Sequence, residues 1–593
     1  MQRFGRISAI VTAVAIAMFF GVCLDGQVSS SSGAIRESVQ DPGGRVVANA
    51  AVTLRNAQYS LTREIKTDRD GDYAFPNLVP AGGYSITVEA PDFSRVQVDG
   101  LTVRVTETTL ANVHLALGRV SEEVRVSATA DVVDTTTSTL GTVVPSRVIT
   151  ALPLPTRNVF DLLATDAGVI AALTSPATTI VASTNAIYVA GSRATSNNYL
   201  LNGVDANSVE FSTLAGGTVA IPSADSIQEF KTQTSLYDAT TGYSGGGNLN
   251  IVTRAGTKQY HADVYEFLRN TVFNANDYFL NANNRPRPIL IHNQFGVSAG
   301  GPIPHGHDTF FFVNYEGLRQ KNGVTGSVTG SQPVLPSSRD AASLASAFGL
   351  PQTAIDPVAV NILKAKGPFG GYLFPSGTGA AVGTLGTYAY SSPVFSNADQ
   401  GSVRSDHEFH PGTQQNHLWG SFFYNRGLYI NPTGASGSLG QGYDYPLGNQ
   451  NLAINDTHVL NAKLVNDFVA GYTRIQRDIA NYGTGVNVQD VGMYRANESV
   501  FGLLPALTFQ NALGLSGTTV GRFQRTANYD LRDTLSWLVK RHTLRTGLEY
   551  ISSQYNEIGV PATPLGTLAF NVGIADSIYG ASPLGSVGDL APP

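Results

Sequence analysis

Beyond its first two dozen residues the chain contains no run of eighteen apolar residues, yet from Tyr260 onward it is cut into strand-length pieces of alternating character. That combination constrains the fold most tightly. A helix crossing a bilayer needs about 20 consecutive apolar residues, whereas a membrane-spanning β-strand needs only about 9–11 alternating ones. The pieces are YHADVYEFLRN, HNQFGVSAGGPI, DTFFFVNYEGLRQ, SVRSDHEFH, NHLWGSFFYNR, DTHVLNAKL, VNDFVAGYTRIQRD, NYDLRDTLSWLV and HTLRTGLEYISSQ. In the fifth, Leu418, Gly420, Phe422 and Tyr424 share one face, and His417, Trp419, Ser421, Phe423 and Asn425 the other. Aromatic residues gather at the strand ends, as at a membrane interface, and long polar segments such as 326–400 suit extracellular loops better than a compact soluble domain.

The length of 593 residues exceeds one ordinary core and predicts several domains or one large barrel. Charged residues make up 14%, against 62 Gly, 25 Tyr and 27 Phe, a mix that favours β-structure. The net charge of −6 is spread without basic runs or Arg–aromatic clusters, so nucleic acid is excluded as a partner. Arg3 and Arg6 precede an apolar run from Ile7 to Leu24, the pattern of a secretory signal peptide over residues 1–26. Cys23 leaves with it, so the mature chain has no disulfide framework.

Residues 33–118 read as short strands parted by turn signals and predict a small antiparallel β-sandwich within a domain spanning 27–118. Within it, TDRDGDYAFPNL (67–78) invites comparison with a calcium loop. Counted from Asp68, Gly71 falls at position 4 where an EF-hand needs glycine at 6, and position 12 is Val79 where it needs Glu. A tight turn joining two strands is the better reading, with Tyr73, Phe75 and Tyr84 in the core. Residues 119–254 change texture. Helical segments NVFDLLA and SADSIQEFK alternate with strands NYLLNGV and NLNIVTR, which composition alone reads as an α+β domain.

Two resemblances sharpen this. DPGGRVVANAAVTLRN followed by TDRDGDYAFPNLVPAGGYSITVEAPDF resembles the carboxypeptidase regulatory-like domain, a transthyretin-like sandwich grouped with carbohydrate-binding folds. It implies no peptidase, because the module carries no catalytic zinc and no HExxH or HxxE pair occurs. LPTRNVFDLLATDAGV, GSRATSNNYLLNGVD, IQEFKTQTSLYDATTGYSGGGNLNIVTRAGT and YHADVYEFLRNTVFNANDYF, in that order, resemble the plug and first barrel strands of TonB-dependent outer-membrane receptors of the Oar-like group.

The second resemblance implies a plug over 119–254 and a partial transmembrane antiparallel barrel over 255–593. About nine strands follow the plug where such receptors close about 22, so a C-terminally incomplete barrel, the front of a longer receptor, is expected. It also implies a Gram-negative outer-membrane location, a periplasmic N-terminal domain, a TonB-type energy-transducing complex as partner and an extracellular ligand. Siderophore, oligosaccharide, peptide and protein all remain open as that ligand. The plug-motif residues are Arg193, Asn198, Asn202, Gly203, Asp205 and Arg254. Asn202-Gly203 is expected to form a tight turn, Asp205 to accept backbone donors of the next loop, and Arg254 to pair with carboxylates of the barrel wall. His305 and His307 form an HxH that falls where the family turns, so no metal or cofactor is assigned, and no enzyme activity is expected. The alternative is a secreted or surface β-rich glycan-binding adhesion protein.

Overall fold

The computed structural model describes residues 31–570 apart from 60, 119–122, 128–138, 153, 155–156, 172–186, 209–220, 238–240, 243, 283, 285–286, 307, 324–326, 368–370, 392, 410–415, 432–442, 462, 482–485, 494–503, 510–511, 516–521, 540–541 and 559–566. The expected signal segment, Cys23 and His307 lie outside the described residues.

The N-terminal domain comprises β1 (Gly33–Gln40), β2 (Ala51–Asn56), β3 (Leu61–Lys66), β4 (Asp72–Leu78), β5 (Ala81–Glu89), β6 (Arg95–Val103), β7 (Thr108–Leu110), β8 (Val113–His114) and β9 (Glu123–Ser127). One sheet runs β3-β2-β5-β6-β9 and the other β4-β1-β7, with β8 also on β1. Alternate residues of both sheets meet in the core, among them Ile35, Val52, Leu54, Phe75, Tyr84 and Ile86. Tyr84 satisfies its hydroxyl on Val79 O at 2.7 Å, and Tyr73 donates to Ala111 O, so the predicted aromatic core is present with its polar tips partnered.

The sandwich is not wholly antiparallel as expected. β7 and β8 run parallel to β1, and β9 runs parallel to β6, because the chain leaves β6, crosses to lie beside β1 in the other sheet, and returns at β9 beside β6 in the same direction. Within RVVANAAVTLRN (45–56) the strand begins only at Ala51, since Asn49 turns the chain at φ 59°. The acidic stretch is a crossover between sheets rather than a hairpin, joining β3 to β4. Asp68 Oδ1 accepts from the amides of Asp70 and Asp72, both at 2.9 Å, and Gly71 sits at φ 73°. The carboxylate thus organises its own turn.

The middle domain contains β10 (Leu140–Pro145), β11 (Val169–Ala171), β12 (Ile187–Val189), β13 (Asn198–Leu201), β14 (Val204–Asp205), β15 (Ile227–Ser235) and β16 (Asn248–Thr253). Its main sheet is ordered β10-β15-β16-β13-β14. NVFDLLA forms a 3-10 helix, Val159–Thr165, capped by the Asn158 side chain. The expected helix SADSIQEFK is corrected: one 3-10 turn, Ala224–Ser226, leads into β15. β15 lies between β10 and β16, and burying Ile227 and Phe230 while pairing both edges overrides local helix propensity. Phe160 sits edge-on to Tyr199 and Phe230, at 5.8 and 5.7 Å, and anchors this core.

The third region holds β17 (His261–Asn270), β18 (Leu290–Pro302), β19 (Thr309–Asn322), β20 (Ser327–Pro333), β21 (Leu385–Ser391), β22 (Val394–Phe409), β23 (Asn416–Asn431), β24 (Tyr443–Asn461), β25 (Leu464–Asn481), β26 (Ala506–Phe509), β27 (Arg522–Val539), β28 (His542–Ile558) and β29 (Thr567–Phe570). Nine of them form one antiparallel sheet in chain order, β17-β18-β19-β22-β23-β24-β25-β27-β28. One expected piece is shifted: DTHVLNAKL spans the end of β24 and the start of β25, and the body of β24 lies upstream in a stretch whose Asn and Gly residues hid it.

β23 alternates as predicted. Leu418, Phe422 and Tyr424 stay exposed, while His417, Trp419, Ser421, Phe423 and Asn425 turn inward and are buried. At one end of the sheet two to six residues separate β18 from β19, β22 from β23, β24 from β25 and β27 from β28, whereas at the other 11 to 71 residues separate β17 from β18, β19 from β22, β23 from β24 and β25 from β27. Two of the long connections pack together through Ile362, Phe374, Val488 and Leu507.

Candidate functional site

The middle domain meets the inner face of the nine-stranded sheet through a small hairpin. β13 and β14 are joined by Asn202 and Gly203 at φ 54° and 78°, the two positive values a type I′ turn requires. Asn202 Nδ2 donates to Ser421 Oγ on β23 at 3.0 Å, while its Oδ1 accepts from the backbone N and the Oγ1 of Thr253, at 2.8 and 3.0 Å. The Gly203 carbonyl accepts from Arg532 on β27 at 2.9 Å. Val204 is fully buried against Trp419, Ala453 and Val469.

Asp205 is 3% exposed and anchors a polar chain. Its Oδ1 accepts from Asn207 N at 3.0 Å and from Asn528 Nδ2 of β27 at 2.7 Å, and its Oδ2 accepts from Asn207 Nδ2 at 2.9 Å. Its own N–H donates to Asp530 Oδ2 at 3.3 Å, and its carbonyl accepts from Thr473 of β25 at 2.6 Å. Burial pushes its carboxyl pKa up, and the bonds from Asn207 and Asn528 oppose that shift. Asn198 extends the chain, donating to Asn248 Oδ1 at 3.0 Å and accepting from Asn207 at 2.7 Å.

The other two motif residues lie elsewhere. Arg193 is exposed at the N-terminus of the 3-10 turn Ala194–Ser196. Arg254 donates to Ser146 Oγ and, at 3.4 Å, to Ile227 O, both within the middle domain; Asp225 and Asp263 lie near enough to stabilise its charge against burial. Its hydrogen bonds thus differ from the wall pairing expected, although Asp263 belongs to β17.

Several contacts escaped the sequence reading. Arg157 pairs with Asp225 and lies over the rings of Phe267 and Tyr265 on β17, at 4.0 and 5.3 Å. Ser223 donates to Asn314 of β19 at 2.7 Å. Arg404 of β22, paired with Asp406 at 2.8 Å and stacked 4.4 Å over Trp419, donates to Thr253 O at 3.2 Å. The LPTRN and SRATSNN stretches hint at polar anchors, but partners such as Asp225, Phe267 and Asn248 lie far along the chain. His305 occupies the β18–β19 turn at φ 62°, and among the described residues no three His, Cys, Asp or Glu side chains converge as metal ligands.

A family model described as the outer membrane beta barrel domain matches residues 252–588. The chain belongs to the outer membrane β-barrel family. The nine-stranded sheet is therefore barrel wall, with short turns at one end and long loops at the other. Family membership puts it in the Gram-negative outer membrane. A carboxypeptidase regulatory-like domain matches residues 34–116. The TonB-dependent transporter Oar of Myxococcus xanthus is 25% identical over 343 residues, covering 55% of this chain and 30% of that protein. Among solved structures, the outer membrane transporter YddB of Escherichia coli aligns with a TM-score of 0.46 at 12% identity, over 73% of this chain and 50% of its own. A mutant of the ferric enterobactin receptor PfeA of Pseudomonas aeruginosa aligns with a TM-score of 0.41 at 12% identity, over 70% and 49%. The chain thus spans 30% of the curated relative and about half of each solved neighbour. The family and the curated relative are a membrane barrel and a transporter, not enzymes.

Proposed function

We propose that the chain serves as a TonB-dependent outer-membrane receptor for active uptake. In this reading residues 119–254 are the plug. An extracellular ligand binds at the long-loop end, and a TonB-type energy-transducing complex pulls from the periplasmic side to displace the plug. The N-terminal sandwich, lying against the short-turn end through Asp68–Lys463 and Asn77–Asp467, is periplasmic. Siderophores, oligosaccharides, peptides and proteins remain open as the ligand class.

The observation that carries this reading is the Asn202–Ser421 bond and the network around it. Apart from Val204 and Phe423, the described contacts between plug and wall are largely hydrogen bonds, with Arg157 over two rings of β17, rather than apolar packing. Each such bond contributes about 0.5–1.5 kcal/mol net and is exchanged for water when broken, so the plug is seated firmly but displaceably. Asn198, Asn202, Gly203, Asp205 and Arg254 are proposed to hold the plug in shape and position. Arg193 is proposed as an exposed plug residue facing a partner.

The adhesion alternative requires everything after the sandwich to be soluble, which the outward band of Leu418, Phe422, Leu452, Ile454 and Phe468 opposes. The test is fractionation of producing cells, followed by capture of the detergent-solubilised chain on the purified periplasmic domain of a TonB protein. Outer-membrane recovery with heat-modifiable migration and saturable capture are expected. Recovery in the soluble periplasm or medium sinks the reading.

A further inference from the structure

The sandwich touches both other domains, and the two sets of contacts differ in kind. Toward the plug, Val105 lies fully buried in the turn that follows β6. Its N–H donates to Glu229 Oε2 at 2.8 Å and its carbonyl accepts from Lys231 Nζ at 3.3 Å. Glu229 and Lys231 stand two residues apart on β15, hence on one face of the strand, and together they hold both hydrogen-bonding groups of a single residue. Lys231 also lies 3.5 Å from Glu107, and Gln228 donates to Pro80 O at 2.9 Å.

Toward the barrel wall the sandwich has less. Lys463 pairs with Asp68 at 3.0 Å, with the lysine side chain 44% exposed, and Asn77 reaches Asp467 at a long 3.4 Å. A small polar-lined cavity separates Val79 and Pro80 from His417 and Trp419, where a packed interface would have side chains. The link from plug to barrel also leans on the sandwich, with Ala255 in its core cluster and Lys258 N donating to Gln58 O at 2.6 Å.

We infer that the sandwich is latched to the plug by Glu229 and Lys231 on Val105, and that it parts from the barrel rim and travels with the plug when the plug is displaced. This rests on the reading that the plug moves. The latch itself is a property of the resting protein and is measurable without transport. Two side chains of one strand holding both backbone groups of one buried residue form a contact that is broken together, whereas the barrel contacts can yield one at a time.

The test is hydrogen exchange of the full chain in detergent, read at Val105, at the 67–72 turn and, as a folding control, in β16. Three variants are compared: Glu229→Ala, Glu229→Gln, and the double substitution Asn77→Ala with Lys463→Ala. Glu229→Ala should speed exchange at Val105 by about ten- to a hundredfold, the loss of one charged hydrogen bond, with β16 still protected. Glu229→Gln, which keeps an acceptor oxygen, should fall between Glu229→Ala and wild type. The barrel-side double variant should speed exchange at the 67–72 turn and leave Val105 within about twofold of wild type. If the barrel-side variant releases Val105 as much as Glu229→Ala does, or if Glu229→Ala leaves Val105 protected, the latch is overturned. Neither result depends on TonB capture or membrane recovery, so failure of the transport reading remains separable.

Discussion

Val204 of the β13–β14 hairpin sits directly on Gly471 of β25: a β-carbon built at Gly471 would lie 2.3 Å from Val204 Cγ1. No pair of non-bonded carbons approaches so closely, so the glycine is the socket into which the β13–β14 hairpin fits. Gly471→Ala should loosen plug seating by about 1–3 kcal/mol, the cost of overpacking a closed site. Combining it with Val204→Ala should recover most of the loss. A double-mutant cycle on thermal unfolding in detergent checks this, and additive losses would contradict direct contact.

Glu229 has its pKa raised from 4.5 to about 7, chiefly by burial; Glu107 adds to the shift, while the Val105 N–H, Arg104 and Lys231 oppose it. An acid whose folded pKa is raised stabilises the fold in its protonated form. That contribution is full below about pH 4.5 and is lost as pH rises through about 7, on the order of 1–3 kcal/mol. The melting temperature should therefore fall between pH 5 and 8, and Glu229→Gln should flatten that slope.

Arg157 combines two demands that pull apart on substitution. Its backbone is at φ 54°, where a side chain costs about 1 kcal/mol or more, while its guanidinium serves Asp225 and Phe267. Arg157→Ala should lose the contacts and keep the strain, destabilising the protein by about 2–4 kcal/mol. Arg157→Gly should be the milder of the two. Equal melting temperatures for both variants would refute a strained backbone there.

Leu452 lies opposite Phe422 in mid-strand and faces outward, whereas its neighbour Asn451 is buried facing the plug. Leu452→Arg should cost about 2–4 kcal/mol of membrane stability. The fraction recovered in the outer membrane with heat-modifiable migration should drop, while Asn451→Ser should leave that fraction near wild type.

Strand period was the most legible signal. In β23 the two faces separate residue by residue as alternation predicts, because burial on one side and lipid on the other impose one chemistry on each. The Asn202-Gly203 turn was legible for a local reason, since few other pairs accept two positive φ values. Illegible features were those decided by distant pairing. Ser223–Lys231 carries helix-forming residues but becomes a strand because β10 and β16 flank it. The parallel returns of β7 and β8 beside β1 follow from the path of the chain rather than from any residue in them. In the candidate site, Asn207 is the next-loop donor expected for Asp205, whereas Asn528 and Thr473 look like ordinary polar residues until the register of β25 and β27 brings them there, and nothing local marks Arg157 or Gly471 as contacts.

The barrel strands pair only with their sequence neighbours, and the plug is held by them in turn: β19 through Asn314, β22 through Arg404, β23 through Ser421, β25 through Thr473 and β27 through Asn528. Five of the nine strands thus each present a polar side chain to the domain they face. The middle domain therefore fixes the register of those strands, because a slip by two residues, which costs nothing at the lipid face, would break each of these bonds.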